Sequence, residues 1–237
     1  MLTLSGQHNQ GGHTLLELLV ALAISITLLT WMTDAVTRTL ADYSTTLQRN
    51  LLNQEVQSVL AMLDRELRRA GAWGNATASA KSGPTNPFTV PPYRLNIGNK
   101  TGESSNSCIT YSYDLNGNGL LDQSAPDERF GFRLNQGAVE MRTGGSGTLD
   151  CNAGSWTGLT GAALVMDSLL FTLVDHCINL SRSGANCSTT TPTKGDLLVR
   201  DYRVEVTMRG YLQQKPAIQR SDTLLIRVRN SSVESAP

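Results

Sequence analysis

Hydrophobic positions along this chain follow three different rhythms, and each predicts a different element. From Thr14 to Thr33 the residues are almost unbroken in their apolar character, with Glu17 the single ionisable side chain. About 20 such residues are what a helix needs to cross a hydrocarbon core of roughly 30 Å. Beyond Thr33 the apolar positions thin to three- and four-residue steps, at Leu40, Leu47, Leu51, Val56, Val59, Leu60, Leu63 and Leu67. That spacing puts one apolar stripe on a continuing helix, with Arg49, Asn53, Gln57, Asp64, Arg65, Arg68 and Arg69 on the opposite side. Gly71 and Gly74 end the pattern and suit a helix C-terminus.

After Gly74 the period changes to two. Residues from Trp73 to Pro92 are rich in Ala, Ser, Thr, Asn, Gly and Pro and read as a connection. Ile109, Tyr111 and Tyr113 then alternate with small or polar residues, and Phe130, Phe132 and Leu134 lead through Asn135-Gln136-Gly137 to Val139 and Met141, the pattern of a hairpin. Further strands are expected at Leu169 to Val174, Leu198 to Met208 and Thr223 to Val228. Strands joined by turns, with no helical pattern between them, predict an antiparallel sheet packed on the outer part of the helix, hence an α+β fold. The expected organisation is a leader at 1–12, a transmembrane helix at 13–34, an amphipathic helix at 35–71 and a β-rich globular head at 72–237.

Composition narrows the function by exclusion. The chain has 20 basic and 20 acidic side chains, so net charge supplies no general drive towards nucleic acid or anionic lipid. The C-terminal arginines, Arg200, Arg203, Arg209, Arg220, Arg227 and Arg229, are interspersed with Asp201, Glu205 and Asp222 and read as a solvated sheet face. His176 lies beside Asp175 and Cys177, but adjacent residues on a strand point apart, and no catalytic constellation is expected. No cofactor is required on this reading.

One loop carries candidate metal chemistry. In Asp114-Leu115-Asn116-Gly117-Asn118-Gly119-Leu120-Leu121-Asp122, oxygen ligands at the first, third, fifth and ninth places, a glycine at the sixth and the Leu120 carbonyl at the seventh match the start of a calcium loop. The usual glutamate at the twelfth place is replaced by Ala125, leaving Asp127 or Glu128 to substitute. Two Asn-Gly pairs in four residues also make a strong turn signal that needs no metal. Both readings stand at this point.

The most specific signal is at the N-terminal end, in Gly11-Gly12-His13-Thr14-Leu15-Leu16-Glu17. An acid inside an apolar run is costly in lipid and marks a functional position. Gly12, Thr14, Leu15, Leu16 and Glu17 resemble, place for place, the signature of the type IV prepilins, with His13 where the family usually has Phe and a leader lacking Lys or Arg. An ordinary secretory signal would be cut after its apolar region and discarded, whereas here the helix would be retained. The resemblance implies that a prepilin peptidase cuts after Gly12 and methylates the new amine of His13, so these two residues are acted upon.

Length, the absence of Pro near Asp34, the segment Tyr111-Ser112-Tyr113-Asp114-Leu115-Asn116-Gly117 and the ending Val228-Arg229-Asn230 look like the PilW-type minor pilins. That resemblance implies a type IV pilus subunit that helps to initiate assembly and sits at the fibre tip. Its implied partners are other minor pilins, the major pilin, the inner-membrane assembly platform and a large tip adhesin. Its implied location is the inner membrane, crossed once, with the head in the periplasm. The rivals are a minor pseudopilin of type II secretion, similar to GspJ, and a tip module binding DNA or a surface. Cys108, Cys151, Cys177 and Cys187 allow three pairings. With the head exported to an oxidising compartment, the pairing expected is Cys108 with Cys151 and Cys177 with Cys187.

Overall fold

In a computed structural model that describes residues 14–77, 86–187, 189–230 and 232–236, the long helix α1 spans Leu15–Leu67. The cleavage and methylation positions Gly12 and His13 lie outside the described residues. The chain divides into two compact units, Met1–Leu47 and Gln48–Pro237, and α1 contributes residues to both. Side-chain burial on α1 begins near Gln48 and becomes complete at Leu52.

In the first unit α1 is exposed on every side, including Leu15, Leu18, Leu22, Ile26, Leu29 and Trp31. It is long and apolar enough to cross a membrane, with an 18-residue window of mean hydropathy 2.1. Ser25, Thr27, Thr30 and Thr33 interrupt that run, yet each hydroxyl donates to a carbonyl of the preceding turn, at 2.7–2.8 Å for the closest bond of each. Such bonds satisfy the hydroxyl within the helix, so these residues need no polar partner outside it.

The second unit packs the rest of α1 on two antiparallel sheets. The first is a meander of neighbours in chain order: β1 (Asn96–Gly98), β2 (Cys108–Ser112), β3 (Arg129–Asn135), β4 (Ala138–Gly144) and β5 (Ser155–Gly158). The second contains β6 (Leu164–Asn179), β7 (Ala185–Asn186), β8 (Leu197–Leu212), β9 (Lys215–Arg227) and β10 (Ser232–Ser235). Its order is β10-β8-β6-β7, with β9 also paired to β8. The expected α+β fold is present, but its strands form two sheets where the period-two pattern predicted one. The strands β6, β8 and β9 are also longer than their apolar stretches suggested, because Asp175, Arg200, Arg203 and Arg209 continue the ladder with side chains in water or in ion pairs.

Leu52, Val56, Val59, Leu60, Leu63 and Leu67 form the buried stripe of α1 against Tyr111, Phe132, Leu169, Phe171, Val204, Val206, Met208 and Ile226. Leu51 is a correction to the expected stripe: it is 60 % exposed, while Leu52 is 1 % exposed. Counting back from Val56, a four-residue step lands on Leu52 and keeps the inward face, whereas a five-residue step rotates away. The helix ends at Leu67, four residues short of the expected end at Gly71. Gly71 then takes φ +73°, open to glycine without a Cβ penalty, and donates its N–H to the Ser112 carbonyl at 2.8 Å. Asn230 closes the same end, donating its side-chain amide to the Ala70 carbonyl at 3.0 Å.

Candidate functional site

The first candidate is the start of α1. Thr14 precedes the helix and its Oγ1 accepts the Glu17 N–H at 3.3 Å, so Thr14-x-x-Glu17 has the spacing and half the bonding of a capping box. A carboxylate in the first turn also faces the positive end of the helix dipole. This function of Glu17 was legible in the sequence as a Thr three residues before a Glu, and the motif reading passed over it.

The second candidate, the loop Asp114–Asp122, is a network of bonds within itself. Asp114 accepts the N–H groups of Gly117 at 2.6 Å, Gly119 at 2.8 Å and Gly74 at 2.9 Å, which uses both of its oxygens. Asn116 Oδ1 accepts the Asn118 N–H at 3.0 Å, and Asn118 Oδ1 accepts the Leu120 N–H at 2.7 Å. With those oxygens fixed, both side-chain NH2 groups point to Asp122 Oδ2, at 2.8 and 2.9 Å. At a calcium site the amide oxygens, not the nitrogens, would turn to the centre that Asp122 shares. Among the described residues no three Asp, Glu, His or Cys side chains are grouped to hold a metal.

The two substitutes for the missing twelfth ligand are also committed elsewhere. Glu128 is fully buried and accepts the N–H groups of Leu115 at 2.7 Å and Asp122 at 2.9 Å, pinning the loop at both ends. Asp127 is held by Arg129. Asp114, Asn116, Asn118, Leu120 and Asp122 are thus bonded to one another as a closed turn, with Gly117 at φ +76°.

Asp127 belongs to a buried ionic cluster that sequence reading missed altogether. Its Oδ2 accepts Arg129 Nη2 at 2.8 Å, its Oδ1 accepts Arg129 Nε at 2.9 Å, and Arg142 Nη1 lies 3.5 Å from Oδ1. Arg142 is completely buried and donates to the Arg129 carbonyl at 2.6 Å; Arg129 reaches the carbonyls of Gly145 and Gly147 at 2.8 and 2.7 Å. Burial alone would raise the Asp127 carboxyl, but hydrogen bonds and charge from Arg129 outweigh it and hold the group below the usual carboxylate range. Burial lowers Arg142, opposed by Asp127. Arg129 and Arg142 thus fasten the glycine-rich loop after β4.

A similar cluster anchors the end of α1. Glu66, 5 % exposed, accepts the Tyr113 hydroxyl at 3.0 Å and Arg65 Nε at 2.9 Å. Arg69 stacks over the Tyr113 ring at 4.2 Å. The Tyr113 hydroxyl is pushed well up, first by burial and then by the Glu66 charge.

The structure joins Cys108 to Cys151 and Cys177 to Cys187, with sequence separations of 43 and 10. The first ties β2 to the loop before β5; the second closes the end of β6 over β7. Because Cys177 is in a disulfide, it offers no thiol to His176, and Asp175 is paired with Arg200.

Comparison with known families supplies two matches. The family described as prepilin peptidase-dependent protein B matches residues 45–228, and the prokaryotic N-terminal methylation motif matches residues 7–33. No curated protein matches the chain, and no solved structure does. Together the two matches run from before Gly12 to Val228, the first over the head and the second over the leader junction and apolar helix.

Proposed function

Because the chain belongs to the prepilin peptidase-dependent protein B family and carries the prokaryotic N-terminal methylation motif, we propose that it is a minor subunit of a type IV pilus, processed at Gly12–His13 and acting early in fibre assembly. A subunit dependent on prepilin peptidase and anchored by one apolar helix is the premise; the minor-pilin role and a place at the fibre tip are the proposal. The observation that carries it is Glu17, a carboxylate in the first turn of a helix whose surface from Leu15 to Met32 is apolar and exposed.

Removal of the leader creates an ammonium on His13, four residues from Glu17. In a stack of such helices, Glu17 of one subunit pairs with the new amine of its neighbour. At ~4 Å and an effective dielectric near 20 the attraction is on the order of 4 kcal/mol before desolvation. Apolar packing between helices has no preferred register, so a single ion pair of that size selects one. Before cleavage the cation is missing from this position, and assembly waits for processing. The head contributes no chemistry of its own on this reading: it is a disulfide-stapled surface for neighbouring minor subunits, the major pilin and an adhesin at the tip.

The test is incorporation of Glu17→Gln and Glu17→Ala chains into fibres sheared from cells, alongside processed membrane pools. Both variants should be cleaved and stay in the membrane, with incorporation reduced at least tenfold. Wild-type incorporation of either would remove the carboxylate from the mechanism. Loss of substrate secretion with intact pili, in a strain lacking the chain, would instead support the type II secretion pseudopilus.

A further inference from the structure

We propose that Lys100 and Asn135 react with each other to form an intramolecular isopeptide bond, with Glu140 carrying the proton. This goes beyond the assembly role, which gives the head no chemistry of its own and makes no use of these three residues. Lys100 Nζ donates to Asn135 Oδ1 at 2.5 Å, and Asn135 Nδ2 donates to Glu140 Oε1 at 2.8 Å. The amine thus stands at the oxygen of the amide and the carboxylate at its nitrogen.

Strand register builds this constellation. Arg133 and Asn135 share one face of β3, Glu140 lies opposite Arg133 on β4, and Asn135 is its diagonal neighbour. Beyond Asn135 the chain reverses with Gln136 at φ +49° and Gly137 at φ +80°, positive at both central positions as a tight hairpin turn requires. Lys100 comes from the turn after β1, 35 residues earlier in the chain. That turn is fixed to the hairpin itself, since Glu103 Oε1 accepts the Gln136 N–H at 2.7 Å, and the Glu103 N–H donates to the Lys100 carbonyl at 3.0 Å. It is fixed to the Cys151 loop as well, where Asn152 Oδ1 accepts the Thr101 N–H at 2.9 Å.

Glu140 is held as firmly. Its Oε2 accepts Arg133 Nε at 2.7 Å, and Arg133 stacks over Trp156 at 4.1 Å and donates to the Cys151 carbonyl at 2.7 Å. Side-chain exposure is 16 % for Glu140 and 9 % for Arg133. Arg133 answers the charge of the carboxylate, whose other oxygen engages the amide nitrogen. A lysine hydrogen bond to an amide needs only the first contact. A carboxylate aimed at the departing nitrogen is what transamidation needs in addition.

The step balances without any further reactant. A carbonyl bond is ~1.23 Å long, so Nζ stands no more than about 3.7 Å from Cγ. That is close to the roughly 3–3.5 Å of an attack geometry, and the flexible lysine stem covers the rest. The amine form of Nζ attacks Cγ and a C–N bond forms. Glu140 takes the proton that the attacking nitrogen sheds and delivers one to Nδ2, the Cγ–Nδ2 bond breaks and ammonia leaves. From a lysine ammonium and a primary amide the products are a secondary amide and an ammonium ion, with no change of oxidation state. The new bond ties the end of β1 to β3 across β2, and unlike the Cys108–Cys151 disulfide it survives reductants.

The experiment is mass spectrometry of the full chain, purified in neutral detergent micelles and then fully reduced. The wild type should be lighter by one ammonia than its sequence requires from the N-terminus found. Trypsin should leave Lys100 uncut, with peptide 95–129 joined to peptide 134–142. On a reducing denaturing gel its closed loop should run ahead of Lys100→Arg, which keeps the charge and cannot form the amide. Lys100→Arg and Asn135→Ala should carry their full mass, and Glu140→Gln should reach about a tenth or less of the wild-type linkage. The proposal is overturned by a wild type of full mass with Lys100 cut, by an ammonia deficit that persists in Lys100→Arg, or by complete linkage in Glu140→Gln.

Discussion

Asp127→Asn offers the clearest test of how charge is managed inside the head. The substitution keeps the size of the side chain and removes one negative charge between Arg129, 3 % exposed, and Arg142, 0 % exposed. Both guanidiniums keep their carbonyl acceptors, but the amide NH2 that replaces one Asp127 oxygen cannot accept from Arg129, so a hydrogen bond is lost together with the neutralising charge. Breaking a buried ion pair from one side costs on the order of 3–5 kcal/mol, since the uncompensated charge stays behind. For a domain of this size, ~3 kcal/mol corresponds to a fall of about 6–12 °C in melting temperature.

The pH dependence gives a second readout of the same carboxylate. The Asp127 pKa is lower in the folded chain than in the unfolded one. Its stabilisation is therefore complete above the unfolded carboxylate pKa and is lost as pH falls through the folded value. The gap between wild type and Asp127→Asn should be full at pH 7 and should shrink on acidification below the ordinary Asp range near 3.9. Thermal unfolding followed by circular dichroism, from pH 7 down to the acid limit of solubility, measures both. A loss below ~1 kcal/mol at pH 7, or a gap that does not change with pH, would refute the reasoning.

Three further expectations follow from the head. Leu63→Ala, at a site with 0 % exposure on the buried stripe of α1, should destabilise by about 2–5 kcal/mol in denaturant titration, the range for deleting a core leucine side chain. Replacing Cys108 and Cys151 by Ser should cost about 4 kcal/mol and replacing Cys177 and Cys187 about 3, the longer loop costing more, as read by melting under non-reducing conditions. Calcium or a chelator should leave the melting temperature unchanged; an upward shift with calcium that Asp114→Asn abolishes would restore the metal reading of the loop.

The sequence carried the elements whose signals are periodic and left out those that depend on what the chain meets after folding. The helix, the hairpin from Phe130 to Met141 and the inward face of β8 all follow from apolar spacing. The choice of Leu52 over Leu51 does not, because both are leucines and only the packed face distinguishes them. Nor does the split into two sheets, since a period of two states which residues share a face and is silent on which strands pair.

Buried charge was the least legible feature. Arg129, Arg142 and Glu66 look like surface residues to any rule based on polarity, and their burial rests on partners 2 to 47 positions away along the chain. The Asp114–Asp122 loop shows the opposite case. Its residue types matched a metal loop in the one-dimensional pattern, but the direction of each oxygen, set by backbone N–H groups, decides between ion and turn. The start of α1 held two overlapping signals in one stretch, a processing motif and a capping box, and the more specific one drew the reading.

The central claim is that a new ammonium at His13 meets Glu17 in the assembled fibre, and the state of the N-terminus tests it most directly. Intact-mass and N-terminal peptide mass spectrometry of the chain recovered from sheared pili should find it beginning at His13 with a methylated α-amino group. Recovery of chains in the fibre that still begin at Met1, leader attached, would contradict the account.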